Sequence, residues 1–541
     1  MTDTPYPLAD GAPVNPDTGQ LRLRVAHVDQ ANTVWAEGDG DLWPSAWADD
    51  DGLYTAAGDG TGFAPHGWSD ILVGRVDGTP ATGLRGTHLA AGDAVAPIWD
   101  APRFNRKPTG MVAVDGDGDG RDELYLAVQD LRCGAEPGVF DEAPTATVVR
   151  SADRGRTWSW AAAPLFRSHV FTTVMFLDLG RSNGGSPWVY AYGIDGNWRT
   201  SFTRVVPDPT ALFLARVPAS SVTQRESWRF FAGFDDDRMP RWSADIGEKA
   251  AVLEDRRVMY PDPAPYGGRS GFTPIAQGGV VWNAGLGRYL YSSWSEYTHE
   301  IFEAPAPWGP WRHLHSADYG HFPWQGPRSP IAAHGGYAPT MPSKFISGDG
   351  RDLWLQSNWF FPASSLGGRA YTFGLRRVRL DPGTDAETDG GPGNLALAAD
   401  TWPLVSRVAD GQTSVLNDGR RDRVEDSGRG PGVGDDVWGY EWPSPRRFDR
   451  VVYVTGRQDS LGGWFTDGPW VEVRSGGEWR RVAASVTPSY PHDWTALEQR
   501  EYVFDFEPVL ADGVRITGAP GGPFRYTSIA ELEVWHRAAA T

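Results

Sequence analysis

From residue 26 to about residue 380 the chain repeats one pattern of apolar and polar positions. A short apolar run meets an acidic or glycine turn, and a run carrying Tyr or Trp follows. The first instance is LWPSAWADDDGLYTAAGDG, continuing into SDILVGRVDG. The second is TGMVAVDGDGDGRDELYLAVQD, followed by ATVVRSADRGRTWSW. TTVMFLDLG, PWVYAYGIDG, ALFLARVP and SWRFFAGF make the third. GGVVWNAGLGRYLYSSWSE and HEIFEAPAPWGPWRHL make the fourth, and PSKFISGDGRDLWLQSNW with AYTFGLRRVRL the fifth. Each unit supplies three or four strands over roughly 60–80 residues. A four-stranded antiparallel sheet does not bury both faces alone, so five such sheets are expected to pack radially as a five-bladed β-propeller. A large β-sandwich is the rival arrangement.

The rest of the chain follows from the same kind of reading. Residues 1–25 form a polar, Pro-rich lead-in, and 26–380 the propeller. A Gly-, Pro- and Asp-rich linker covers 381–393. From 394 to 541, FDRVVYVTG, PWVEVRSGGEWRRVA, REYVFDF, DGVRITG and SIAELEVW alternate as strands between turns, the pattern of a β-sandwich. This part resembles the discoidin-like (coagulation factor V/VIII C-type, galactose-binding-like) domain through NLALAA, VLNDG, WVEVRSGGEWRRV and the closing TSIAELEVW. That resemblance implies a carbohydrate-binding appendage. SADRGRTWSW fits the Asp-box S-x-D-x-G-x-T-W of sialidase-type blades, which gives Asp153 a structural role.

Composition narrows the partners. The 541 residues include 66 Gly, 43 Pro and 26 Trp, as expected of an all-β chain with many turns. The net charge of −19 repels phosphate backbones, so nucleic acid is not an expected partner. Cys133 is the only cysteine, which excludes an intramolecular disulfide. The N-terminus lacks a signal-peptide pattern and no apolar run reaches the length of a membrane span. A soluble protein is expected, cytoplasmic or secreted with its signal absent from this chain, and without a membrane partner.

Candidate chemistry lies at the hairpin ends. Asp49, Asp50 and Asp51 precede Gly52 and read as a turn. Asp41 and Asp59 lie nine residues either side of Asp50, so a hairpin centred there sets them opposite each other at its open end. Two carboxylates so placed repel, which raises one pKa and lets an acid and a base coexist near neutral pH. Glycoside hydrolysis uses such a pair; a turn cap and a solvated loop acid are the plainer alternative. The other units place Gln129, Asp130, Asp195, Asn197, Glu296, His299 and Asn358 at the equivalent position. Lys107, Arg269 and Lys344 lie nearby to hold hydroxyls or stabilise a carboxylate. Trp43, Trp47, Trp198, Trp294 and Trp359 could stack on sugar rings or pack the blades. Glu296 is a reserve for the reaction itself. The loop DGDGDGRDE sets Asp115, Asp117, Asp119 and Glu123 at a spacing that suits a structural calcium ion, or a Gly-rich hairpin turn. No cofactor is needed for the chemistry.

DLWPSAWADDDGLYTAAGDGTGF, KPTGMVAVDG, VVWNAGLGRYLYSSW, EAPAPWGPW and PTMPSKFISGDGRDLWL resemble the bacterial five-bladed propellers long catalogued as a domain of unknown function. That group includes the endo-D-arabinanases of glycoside hydrolase family 183. The resemblance spans about residues 30–380. It implies a catalytic aspartate pair on the first blade, at Asp41 and Asp59, and a furanose-containing polysaccharide, D-arabinan first, as substrate. The family stretch reads closer to DNWPxTWADD, so Leu42 and Ala46 depart from it. A glycoside hydrolase is therefore the expected function, a non-catalytic glycan-binding protein the alternative, and a protein-interaction scaffold a third reading that leaves the acids and Trp residues without a role.

Overall fold

A computed structural model describes residues 8–9, 11–15, 23–29, 32–100, 104–132, 140–259, 271–295, 298–318, 336–358, 372–382, 393–398, 401–409, 413–419, 421–428, 434–475 and 478–536. Every regular element among them is a β-strand or a short 3-10 turn, so the chain is all-β. None of the described residues forms a helix long and apolar enough to cross a membrane. Two compact units form: Met1–Thr18, Val25–Arg256 and Thr273–Asp381 in one, Gly19–Arg24, Arg257–Phe272 and Pro382–Thr541 in the other.

The first unit consists of successive antiparallel sheets. Asp39–Trp47, Leu53–Gly62, Leu72–Thr79 and Gly83–Ala91 make the first, in chain order. Phe104–Val114, Glu123–Arg132 and Thr145–Ser151 make the second. The third runs from Thr173–Asp178 through Trp188–Ile194, Ala211–Pro218 and Arg229–Phe234. The fourth runs from Gly279–Asn283 through Arg288–Trp294, Thr298–Ala304 and Arg312–Asp318. A short parallel pairing, Leu177 with Val280 and Asp178 with Val281, joins the third to the fourth. The fifth pairs Asp352–Asn358 with Phe373–Pro382.

Two segments depart from the expected pattern. The run KFIS does not form the first strand of the fifth sheet. Ser343–Phe345 is a 3-10 turn, and the edge next to Gln356 is held by a single bridge from Thr340. The outer side of that sheet takes Leu23–Val28 and Val34–Ala36 from the start of the chain. The alternating LRVAHV can pair there because Phe373–Pro382 would otherwise present unpaired backbone groups.

The packing explains why strands such as Leu53–Gly62 and Glu123–Arg132 are buried almost throughout, polar positions included: both faces of the sheet are covered. Tyr54, Ala56 and Val73 of the first sheet meet Met111, Leu124 and Leu126 of the second. Leu53, Ala57 and Leu72 on the opposite face meet Phe345, Phe373 and Leu375 of the fifth. Val112, Tyr125 and Val148 of the second pack on Phe176, Val189 and Ala215 of the third. Met175, Tyr190 and Tyr192 of the third pack on Val280, Tyr289 and Tyr291 of the fourth. Between the fourth and fifth, the Asn283 amide donates to the Gly350 carbonyl at 2.8 Å and the Ser292 hydroxyl to that of Pro339 at 2.6 Å. Residues 44–45, 109–111, 175–176, 178, 278–280 and 340–342 together line a cavity of about 30 Å³.

The Asp-box closes the outer hairpin of the second sheet. Asp153 accepts from the Thr157 amide at 2.8 Å, the Thr157 hydroxyl at 2.7 Å and the Ser151 hydroxyl at 2.9 Å. Gly155 supplies the left-handed turn at φ 80°, and the Trp158 indole donates to its carbonyl.

In the second unit, Asp436–Thr455 and Glu501–Pro520 are long strands paired with each other and bent at register shifts. Their first and last portions, 436–441 with 513–520, carry Trp402–Val405 and Phe465–Ser475 as neighbours. Their other portions carry Ser528–Trp535 and Ser485–Thr487. The arrangement is that of a β-sandwich, with Trp438, Tyr440, Tyr453, Phe465, Phe504 and Ile516 buried. Val258–Met259 pairs with Arg407–Val408 in this unit.

Candidate active site

The first hairpin is irregular where its chemistry lies. Its register slips between Asp39 and Asp41 and again between Leu42 and Ser45. Leu42 and Trp43 take φ values of 76° and 62°, and Asp59 takes 43°. Bulky residues in the left-handed region are strained, and such strain needs surroundings that enforce it. Trp43 provides them: its indole donates to the Gly40 carbonyl at 2.7 Å, and its ring packs on Phe63 and Phe373.

The bulge sets Gly58, not Asp59, opposite Asp41. In a regular strand Asp59 would then point to the other face. Its left-handed backbone turns it back, and the two carboxylates meet through Lys107 of the second sheet. The Lys107 ammonium lies 2.6 Å from Asp59 Oδ2 and 3.5 Å from Asp41 Oδ1. A side chain at position 58 would run into Asp41 and come within 2.8 Å of the ammonium. The Lys107 and Asp41 side chains are 3% and 7% exposed, whereas Asp59 is 25% exposed, so Asp59 is the open member.

Tyr337 completes the group. Its hydroxyl donates to Asp41 Oδ2 at 2.7 Å, and its amide donates to Asn358 Oδ1 at 3.2 Å. The ring lies 5.4 Å from both Trp198 and Trp294, which are 5.4 Å from each other. Sequence reasoning missed Tyr337 because 296 residues separate it from Asp41 and no motif marks it. Gly58 had a visible signal, a glycine directly before the candidate acid.

Electrostatics separate the charged groups. Burial pushes the Asp59 carboxyl up to about 6; Lys107 opposes this and the Asp41 charge adds to it. Burial also works against the Lys107 charge, but Asp41 and Asp59 outweigh it and hold the ammonium above its ordinary range. Asp59 is therefore a carboxyl raised to about 6 beside a lysine held above its ordinary range.

Other expected site residues are divided between the core, the turn end of the hairpin and the surroundings of Tyr337. Trp43 is 1% exposed and belongs to the core, so it offers no face to a sugar. Trp47 and Lys344 stand at the opposite, turn end of the hairpin. Trp47 pairs with Leu53 next to the turn and donates to Asp51 at 2.8 Å, and Lys344 reaches the same carboxylate at 3.3 Å. His299 is buried, with Nε2 2.8 Å from the Gly336 carbonyl, and burial pulls its pKa down to about 3. Asn358 and Gln129 are buried too, Asn358 holding the Tyr337 amide and Gln129 accepting from Thr173 at 2.8 Å. Asp130 accepts from the Trp99 and Asp100 amides at 2.7 Å each, and burial pushes it up to about 6. Strand-end polar residues of this kind pin loops rather than line an opening. The Asn197 amide and the Trp198 indole both donate to the Phe140 carbonyl, and the Phe140 ring lies 5.8 Å from the Lys107 ammonium. Asp195 pairs with Lys249 at 2.9 Å. Arg269, Glu296, Trp359 and Cys133 lie outside the described residues.

The acidic loop of the second sheet brings Asp115, Asp117 and Glu123 within 4.8 Å of one another, with Asp119 outside the group. Arg150 donates to Asp117 at 2.9 Å and to Glu123 at 2.8 Å, and Asp115 accepts from the Gly118 and Gly120 amides. The oxygen ligands suit a hard cation, but the Arg150 guanidinium already bridges two of the three.

No protein-family model and no curated protein matches the chain. Among solved structures, a putative hydrolase from Bacteroides ovatus is similar at 10% identity and a TM-score of 0.37, covering 70% of this chain and 97% of that one. A family 32 CBM from C. perfringens NanJ in complex with galactose is similar at 18% identity and a TM-score of 0.21, covering 26% and 95%. A chitosan-binding module from a chitosanase/glucanase of Paenibacillus sp. IK-5 is similar at 20% identity and a TM-score of 0.21, covering 27% and 99%. At these TM-scores nothing about this chain's activity follows from them, and the reading of the site rests on its own geometry.

Proposed function

We propose that the protein is a glycoside hydrolase of a furanose-containing polysaccharide, with D-arabinan as the leading substrate, acting through Asp41 and Asp59. The observation that carries this reading is the carboxylate pair joined through one buried lysine, with one member open and its carboxyl pushed up to about 6 by burial. A group that gains and loses its proton near working pH suits acid–base cleavage of a glycosidic bond. The resemblance of the stretches around these residues to the endo-D-arabinanase propellers supplies the sugar. The five sheets packed face to face, with residues 44–45, 109–111, 175–176, 178, 278–280 and 340–342 on a common cavity, support a five-bladed propeller over residues 26–380 as the catalytic domain. The sandwich, residues 394–541, would then hold glycan. Incubation with D-arabinan and with plant L-arabinan tests the reading: oligosaccharides should be released from the first, and Asp59→Asn should lower the rate by about 10²–10⁴-fold. Full activity in that variant sinks it.

One observation favours glycan binding without turnover. Lys107 already pairs with both carboxylates, as a lysine would that only orders a binding surface. In that case the wild type retains arabinan on an affinity gel and releases no product.

A structural calcium ion at Asp115, Asp117 and Glu123 is proposed on the same footing, and it requires Arg150 to leave. Added calcium should then raise the melting temperature of wild type, and chelator should remove the gain; no response to either rejects the ion.

A further inference from the structure

A second hollow opens at the loop that follows Trp188–Ile194. It has a volume of about 310 Å³ and is lined by His169, Asp195, Pro207, Asp208, Pro209 and Phe213, among others. That volume lies at the lower end of small-molecule sites. The Asp195–Lys249 pair sits at its wall, with the ammonium 4.2 Å from the centre of the Phe213 ring. Asp195 Oδ1 accepts from the Phe171 amide at 2.7 Å, which fixes the carboxylate in place. His169 Nε2 lies 3.0 Å from Glu142.

The same loop links this hollow to the carboxylate pair. Asp195 faces the hollow, while Trp198, three residues on, packs on Tyr337, whose hydroxyl holds Asp41. Asn197, between them, ties the loop to Phe140, which lies over Lys107. One loop thus carries both a wall residue of the hollow and the side chains that pack against the partners of Asp41 and Lys107.

The lining selects the ligand class. Asp195 and Asp208 disfavour an anion. An acceptor carboxylate beside a donor ammonium matches adjacent hydroxyls, each of which both donates and accepts. Pro207, Pro209 and Phe213 offer apolar surface to the C–H face of a ring. We propose that this hollow is a second saccharide subsite, which binds a sugar residue of the polysaccharide whose bond is presented to Asp41 and Asp59. The subsite rests on the glycoside-hydrolase reading and assigns Asp195 and Phe213 to substrate length recognition.

The test compares long and short D-arabino-oligosaccharides by calorimetric titration of the Asp59→Asn protein, after wild type has been assayed on D-arabinan. Long chains should bind about tenfold more tightly than short ones. Asp195→Asn, which keeps an acceptor for the Phe171 amide, should bring that ratio close to one when added to Asp59→Asn. Ala211→Leu fills the hollow from its strand without removing a polar contact, and should do the same. Retention of the full ratio in both variants, in a wild type that cleaves arabinan, overturns the subsite and leaves the hydrolase reading standing. A wild type that neither cleaves nor binds arabinan overturns both.

Discussion

At the scale of single residues, the least ordinary group is Lys107, buried between two carboxylates. It acts against burial at Asp59, so its removal should let that carboxyl rise further. If Asp59 is the general acid, kcat/KM in wild type falls as pH rises past about 6. In Lys107→Met the fall should move to higher pH, which a pH–rate profile with D-arabinan would read directly; an unmoved limb would separate Asp59 from the reaction. The stability consequence has the same sign. The folded state holds the Asp59 proton more tightly than the unfolded chain does, so stability declines as pH rises from the ordinary carboxylate range to about 6 and is level above it. That Asp41 and Asp59 come together is legible in sequence, because a hairpin centred on the Asp-rich turn brings its two arms side by side. The way the pair meets is not legible. Strict alternation predicts direct opposition, and the bulge at Leu42 and Trp43 replaces it with Gly58 and a turned Asp59.

At the scale of elements, the turn aspartates do more than bend the chain. Asp49 forms a bidentate pair with Arg154 of the Asp-box loop, Asp50 pairs with Arg75 at 2.5 Å, and Asp51 with Lys344. One turn is thereby fixed to the second sheet, to its own sheet and to the segment before the fifth. The Arg154 hydrogen bond holds the Asp49 carboxyl below its ordinary range. A depressed folded-state pKa contributes stability that is present above the unfolded value and lost as pH falls through the folded one. Asp49→Asn should therefore melt below wild type at pH 7, and the gap should narrow at a second, acidic pH as Asp49 takes up its proton. A constant gap at both pH values would assign the effect to packing. Turn formation could be foreseen from Asp before Gly, whereas the three cations could not, since they come from positions 75, 154 and 344. The same limit applies to His299, Asn358 and Trp43. Their place on strands is a sequence property, but which side of a sheet is covered depends on the neighbouring sheet.

At the scale of the whole molecule, the chain is not divided by a single cut. A Gly- and Pro-rich run near residue 381 marks a boundary that sequence can show, yet Val258–Met259 leaves the first stretch and pairs with Arg407–Val408 of the second unit. Met259 and Val408 are both fully buried, so this strand covers apolar surface as well as backbone groups. A two-residue parallel pairing leaves no periodic signal, which is why composition places residues 257–272 with the first unit. The pairing makes a definite demand on dissection experiments. A fragment of residues 382–541 should melt below one supplied with a peptide of residues 257–272. The peptide should raise the melting temperature in a concentration-dependent manner, as expected for a ligand of the folded state alone. Met259→Asp in the peptide should abolish the gain, because it would place a charge against the buried surface. If the fragment melts at the same temperature with either peptide or none, the sandwich is complete in itself and the excursion of residues 257–272 adds nothing to its stability.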